Sequence, residues 1–136
     1  MVKKKLNILL IEQDKIEINK LKNSISKEVK NFNVLLAYSA KEAIITLENS
    51  LPDIIILDLN FIDINGVDFL SVLKENNIFK AIPVIVITTL NNTKDIVACY
   101  KLGIAGYVLK PAKDYDYEIK IDTILKYWSL NEFIPY

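Results

Sequence analysis

The chain has 136 residues, 51% of them hydrophobic and 25% charged, with 17 acidic and 17 basic side chains. That length suits one domain with a full core, and the balanced charge gives no general attraction to nucleic acid or to a membrane surface. Every basic residue is Lys and no His occurs, which excludes guanidinium reading of guanine, His-ligated metals and His-based catalytic triads. Cys99 is the single cysteine, so no intrachain disulfide forms, as fits a reducing compartment. Lysines at 3–5 followed by an apolar run faintly imitate a signal peptide, but the run contains Asn7 and stops at Glu12. It is too short for that role, and no segment reaches membrane-spanning length. A cytoplasmic protein that binds neither nucleic acid nor membrane is expected.

Five strand–helix pairs follow without a linker. The first strand is read over 5–12, nearly all apolar as a strand covered on both faces should be. Asp14 is placed to cap the next helix, with Ile16, Ile18, Leu21, Ile25 and Val29 inward. The second strand spans 32–38, and Ser39 caps a helix turning Ala43, Ile44 and Leu47 inward. Pro52 precedes the third strand, 53–58. A polar loop through Asn60, Asp63 and Gly66 leads to a third helix with Val67, Leu70, Val72 and Leu73 inward. Pro83 opens the fourth strand, which ends at Thr88, and the fourth helix is read over 91–102 with Gly103 as its stop. The fifth strand, 106–110, is closed by Pro111. The fifth helix covers about 115–128, leaving 129–136 as a short tail. Strict alternation implies an α/β fold, a doubly wound parallel sheet with right-handed crossovers.

Four apolar runs, 6–11, 54–57, 84–87 and 107–109, each end on one polar residue: Glu12, Asp58, Thr88 and Lys110. Ligands of such sheets sit outside the carboxyl ends of the strands, so these four side chains are expected at one edge. Two carboxylates, a hydroxyl and an ammonium in one place suit phosphoryl transfer, which needs an attacking oxygen and neutralising charge. Taken singly, each has an ordinary structural reading: a strand-end acid in solvent, a solvated lysine, a strand threonine. For Asp58, the company it keeps outweighs that reading.

The segments Ile8-Leu-Leu-Ile-Glu-Gln-Asp14, Pro52-Asp-Ile-Ile-Ile-Leu-Asp-Leu-Asn60, Pro83-Val-Ile-Val-Ile-Thr-Thr89 and Leu102-Gly-Ile-Ala-Gly-Tyr-Val-Leu-Lys-Pro111 resemble a response-regulator receiver domain of two-component signalling. The Thr88-Thr89 pair, Tyr100-Lys-Leu-Gly103 and Tyr127-Trp128 resemble the stand-alone receivers that accompany phytochrome-like histidine kinases. The resemblance implies a flavodoxin-like (βα)5 fold of five strands in the order 2-1-3-4-5, with the receiver domain over 1–128. It makes Asp58 a phosphoacceptor served by a sensor histidine kinase or phosphotransfer protein, in a signalling protein and not an enzyme. With no His in the chain, the phosphohistidine donor must lie on another protein. Mg²⁺ would be held by Glu12, Asp58 and the backbone carbonyl of Asn60. Lys110 would pair with the phosphoryl oxygens, aimed inward by a cis Lys110–Pro111 bond. Thr88 and Tyr107 would form the switch.

The sequence departs from the family pattern after Glu12, where an Asp that touches the metal is replaced by Gln13. An amide oxygen can ligate but lacks the charge that offsets Mg²⁺ dehydration. Weaker metal binding and slower phosphorylation are expected; the alternative is a pseudo-receiver adaptor that binds partners without being phosphorylated. Asn60 and Leu90 are expected to set the lifetime of the phosphorylated state, with apolar Leu90 impeding the attacking water. Ile62 replaces a frequent proline. Two enzyme readings fail: a haloacid-dehalogenase-type phosphatase needs a second Asp where Asn60 stands, and a flavodoxin-like carrier needs a Gly-rich phosphate loop after the first strand. The tail is too short for an effector domain, so output is expected to be a change in surface binding. Eight of the 13 aromatic residues lie from Tyr100 onward, marking helix four, strand five, helix five and the tail as a docking or homodimer surface.

Overall fold

The computed structural model describes residues 5–26, 32–61, 64–111 and 113–135. The positions of Val29, Ile62, Asp63 and Tyr136, and the side chains of Ile25 and Tyr115, lie outside what it describes. In chain order the elements are β1 (Leu6–Ile11), α1 (Lys15–Ser26), β2 (Phe32–Ala37), α2 (Ala40–Asn49), β3 (Ile54–Leu57) and α3 (Gly66–Glu75). A single 3-10 turn, Phe79–Ala81, precedes β4 (Val84–Thr88), α4 (Thr93–Lys101), β5 (Gly106–Leu109) and α5 (Asp114–Ser129). The sheet is five-stranded and parallel in the order β2-β1-β3-β4-β5. This is the (βα)5 topology expected above.

The central strands are buried on both faces, and alternate residues feed two cores. Leu9, Ile11, Leu57 and Val86 pack with Ala43, Leu47, Phe69, Leu73 and Cys99 from α2, α3 and α4. Ile8, Leu10, Ile56, Ile85 and Ile87 pack with Leu21 of α1 and Tyr117, Ile121 and Leu125 of α5. Each fully buried Leu or Ile contributes roughly 2 kcal/mol. Two expected inward positions point out. Ile16 and Val72 are exposed, because the inward lines of their helices run through Ile18 and Leu21, and through Phe69, Leu70 and Leu73.

Side-chain caps fix where the helices start. Asp14 Oδ1 accepts the Ile16 and Glu17 N–H groups at 2.8 and 3.4 Å, and Ser39 accepts Glu42 N–H at 3.1 Å. Asn65 and Asn92 cap α3 and α4 in the same way. Gly103 ends α4 at φ +88°, with its N–H on the Tyr100 carbonyl. Gly66 has a different reason: a Cβ there would collide with the Leu59 carbonyl and Cα. Its bare Cα lets the start of α3 press on the segment that follows Asp58.

Candidate functional site

Strand register assembles the site. Ile11 pairs with Leu57, so the next residues, Glu12 and Asp58, leave β1 and β3 at the same level. Leu57 pairs with Val86 and Thr88 with Leu109, so Thr88 and Lys110 emerge from the neighbouring strands at the same carboxyl edge. Backbone bonds tie these exits together: Asp58 N–H donates to the Ile11 carbonyl at 3.1 Å and Lys110 N–H to the Thr88 carbonyl at 2.9 Å.

Glu12, Asp58 and Thr88 are all buried. The Lys110 ammonium lies between the two carboxylates, 2.8 Å from Glu12 Oε1 and 2.5 Å from Asp58 Oδ2. Each carboxylate is also held by a main-chain donor. Gln13 N–H donates to Glu12 Oε2 at 3.1 Å and Asn60 N–H to Asp58 Oδ1 at 3.0 Å. Buried charges this close are tolerable only when paired and hydrogen-bonded, and here they are.

The pair splits electrostatically. Burial, followed by the proton and charge shared with Asp58, pushes the Glu12 carboxyl up to about 8. Burial alone would raise Asp58 too. Its hydrogen bond with Glu12, the hydrogen bond and charge of Lys110 and the Asn60 N–H outweigh that, so its carboxyl lies below the ordinary range. Burial works against the Lys110 ammonium, but Asp58 and Glu12 hold it above its usual value. The Asp58 oxygens are thus held by the Asn60 N–H on one side and the Lys110 ammonium on the other.

An open cleft of about 410 Å³ lies over these groups, lined by Glu12, Gln13, Asp14, Glu17, Asp58, Asn60, Thr89 and Lys110. Its donors are hard oxygens, the chemistry that suits Mg²⁺ or Mn²⁺. Two buried carboxylates at one level fit such an ion. Among the described residues no group of three acidic, His or Cys side chains is gathered as a ready cation site. Asp14 is engaged as the cap of α1.

Not every candidate converges. Thr88 is fully buried, but its hydroxyl accepts the Leu90 N–H at 3.4 Å. Tyr107 is half-buried, and its hydroxyl donates to the Leu90 carbonyl at 2.7 Å. Leu90 therefore joins Thr88 to Tyr107. The Asn60 side chain is exposed and donates to Thr89 Oγ1 at 3.1 Å. The Lys110–Pro111 bond is not cis; the two carboxylates draw the ammonium inward without it. Sequence reasoning also missed Glu17, whose Oε2 lies 3.4 Å from Lys110 Nζ. The available signal was an acid in the first turn after a strand-end carboxylate.

The aromatic C-terminal third divides. Tyr117 is core, and Trp128 and Phe133 pack against it with ring centroids 6.3 Å apart. Tyr100 and Tyr127 are exposed, as are Val97 and Ile119. Among the described residues no helix is long and apolar enough to cross a membrane.

Known proteins resemble this chain along most of its length. Response regulator Rcp1 of Synechocystis sp. is 29% identical over 135 residues, covering 94% of this chain and 92% of Rcp1. The Mn²⁺-bound structure of Rcp1 superimposes with a TM-score of 0.87 at 28% identity, over 96% of this chain and 99% of that one. The phosphorylated cyanobacterial phytochrome response regulator RcpA gives 0.89 at 27%, over 97% and 99%. A probable methanogenesis regulatory protein, FilR2 of Methanothrix harundinacea, is 33% identical over 79 residues, 58% of this chain and 51% of that longer protein. The response regulator receiver domain model matches residues 8–122. The chain therefore belongs to the response regulator receiver domain family, phosphoacceptors that signal through phosphorylation and are not enzymes in the ordinary sense.

Proposed function

We propose that Asp58 takes a phosphoryl group from a phosphohistidine of a sensor histidine kinase or phosphotransfer protein. The observation that carries this reading is the Lys110 ammonium lodged between Asp58 and Glu12 at the carboxyl edge of the sheet. An Asp58 oxygen attacks phosphorus and forms an acyl phosphate as the donor's P–N bond breaks. The electron pair stays on the imidazole, which takes a proton from solvent. Lys110 neutralises charge on the phosphoryl oxygens, and the Asn60 N–H keeps the carboxylate in place during attack. Glu12, Asp58 and the Asn60 carbonyl would hold Mg²⁺, with Gln13 a weak fourth donor; the ion supplies further charge neutralisation at the phosphoryl oxygens. The kinship with Rcp1, which holds Mn²⁺ in its own structure, supports a divalent site.

Thr88 and Tyr107 form the switch in this reading. The Thr88 hydroxyl turns from Leu90 N–H to the phosphoryl group, which loosens the Leu90 segment that Tyr107 grips. Apolar Leu90 prolongs the phosphorylated state; a half-life in wild type shorter than in Leu90→Glu refutes that role. The unit is residues 1–128 with 129–136 as a tail, in the cytoplasm where its kinase works. The exposed apolar side chains Val97, Tyr100, Ile119 and Tyr127 support a docking or homodimer face on α4, β5 and α5. Tyr127→Ala should weaken self-association in sedimentation, and an unchanged profile removes the dimer.

Incubation with phosphoramidate, with and without Mg²⁺, tests the central step. Wild type should acquire an acid-stable, base-labile label, Asp58→Asn none, and Gln13→Asp should label faster. Labelling that survives Asp58→Asn refutes the assignment. The adaptor reading rests on the missing third acid at Gln13; it is favoured if wild type stays unlabelled while Gln13→Asp is labelled.

A further inference from the structure

Glu17 is a carboxylate beside Lys110 that the phosphoacceptor reading leaves unused. It stands in the first turn of α1, with Oε2 3.4 Å from Lys110 Nζ and Oε1 3.7 Å from Lys20 Nζ. Its side chain is 24% exposed and lines the same cleft as Glu12, Asp58 and Lys110.

An ammonium seated between two carboxylates competes with any cation those carboxylates hold, because both need the same oxygens. For Glu12 and Asp58 to take up a divalent ion, Lys110 must give up part of its contact with them. Moving a buried positive charge is costly unless another anion meets it. Glu17 is that anion, already within ion-pair distance. Glu17 adds a carboxylate to the cleft that Glu12, Asp58 and Lys110 also line. The negative charge that Gln13 lacks relative to the family pattern is thus present on α1. Glu17 meets the site through its contact with Lys110, so its role is assigned to that ammonium and not to ligation.

We propose that Glu17 is a positioning residue: it draws the Lys110 ammonium toward the cleft and frees Glu12 and Asp58 for the divalent cation. The inference rests on the metal-assisted reading above. It is tested by measuring Mn²⁺ affinity of the full chain by electron paramagnetic resonance, which needs no phosphorylation. Glu17→Gln keeps the shape of a partly exposed side chain and removes its charge. It should weaken Mn²⁺ binding roughly threefold to tenfold at low salt. In a Lys110→Gln background the same change should alter affinity less than about twofold, because no ammonium remains to be drawn away. In a Gln13→Asp background the loss should shrink, since the charge is back beside Glu12.

Equal affinity of wild type and Glu17→Gln overturns the inference. So does an undiminished loss in the Lys110→Gln background, which would make Glu17 a plain long-range charge. Failure of the phosphoacceptor reading looks different: Asp58→Asn would then bind Mn²⁺ as wild type does and still accept label.

Discussion

The two ends of the central strands treat an aspartate in opposite ways. At the amino edge Asp53 sits just before β3, and its Oδ2 accepts the Asn7 N–H at 2.7 Å while its own N–H donates to the Asn7 carbonyl at 2.8 Å. Fixed main-chain groups of β1 satisfy it, with Pro83, Trp128 and Phe133 lining the cavity alongside. At the carboxyl edge Asp58 also has a main-chain donor, but its short contact is to the Lys110 ammonium, beside a second buried acid. A carboxylate met by backbone is part of the frame. One met by a long flexible cation, under an open cleft, can exchange that partner for another.

Four measurements test this contrast. The largest effect is expected for Lys110→Met, which leaves Glu12 and Asp58 buried together without their shared cation. It should cost about 3 kcal/mol in chelator, read by denaturant unfolding, and much of the loss should return with Mg²⁺. A loss below about 1 kcal/mol would mean that the ammonium is not what makes the buried pair tolerable.

The second measurement is a pH series without metal. Glu12 has its folded carboxyl raised from 4.5 to about 8, so it favours folding while protonated. That contribution is complete below 4.5 and is lost as pH rises through about 8. Asp58 has the opposite sign, its contribution being lost only as pH falls through its lowered value, below 3.8. Between these limits stability should therefore fall with pH, by roughly 1 kcal/mol per unit, and Glu12→Gln should flatten the curve. A flat wild-type curve would place the Glu12 proton elsewhere.

Gly66→Ala comes next. The added methyl meets the Leu59 backbone, so about 2 kcal/mol of stability should be lost, together with Mn²⁺ affinity as the Asp58–Asn60 segment shifts. Unchanged affinity would uncouple that contact from the site. The smallest effect is expected for Asp53→Ala, about 1 kcal/mol, with no change in labelling or Mn²⁺ binding. Any change there would erase the distinction between the two edges.

The alternation of apolar runs and helical segments determined the parallel sheet, because period and breaker residues are local properties of the chain. The polar residue closing each run likewise marked Glu12, Asp58, Thr88 and Lys110. Helix faces were less legible where apolar residues exceed what one stripe holds, as at Ile16 and Val72. Strand order came from the family likeness and not from the pattern, since alternation alone leaves several windings open.

Tertiary structure decided how those strand ends are used. Register placed Glu12 level with Asp58, and Lys110 reached both across 98 and 52 residues of chain. The same packing engaged Thr88 and Tyr107 with Leu90 and brought Glu17 from α1 to the ammonium. Local patterning cannot encode these contacts, because they depend on distances between segments that only the packed sheet sets. Local pattern marks which groups reach the carboxyl edge; packing sets which of them touch, because a charge finds its partner through space and not along the chain.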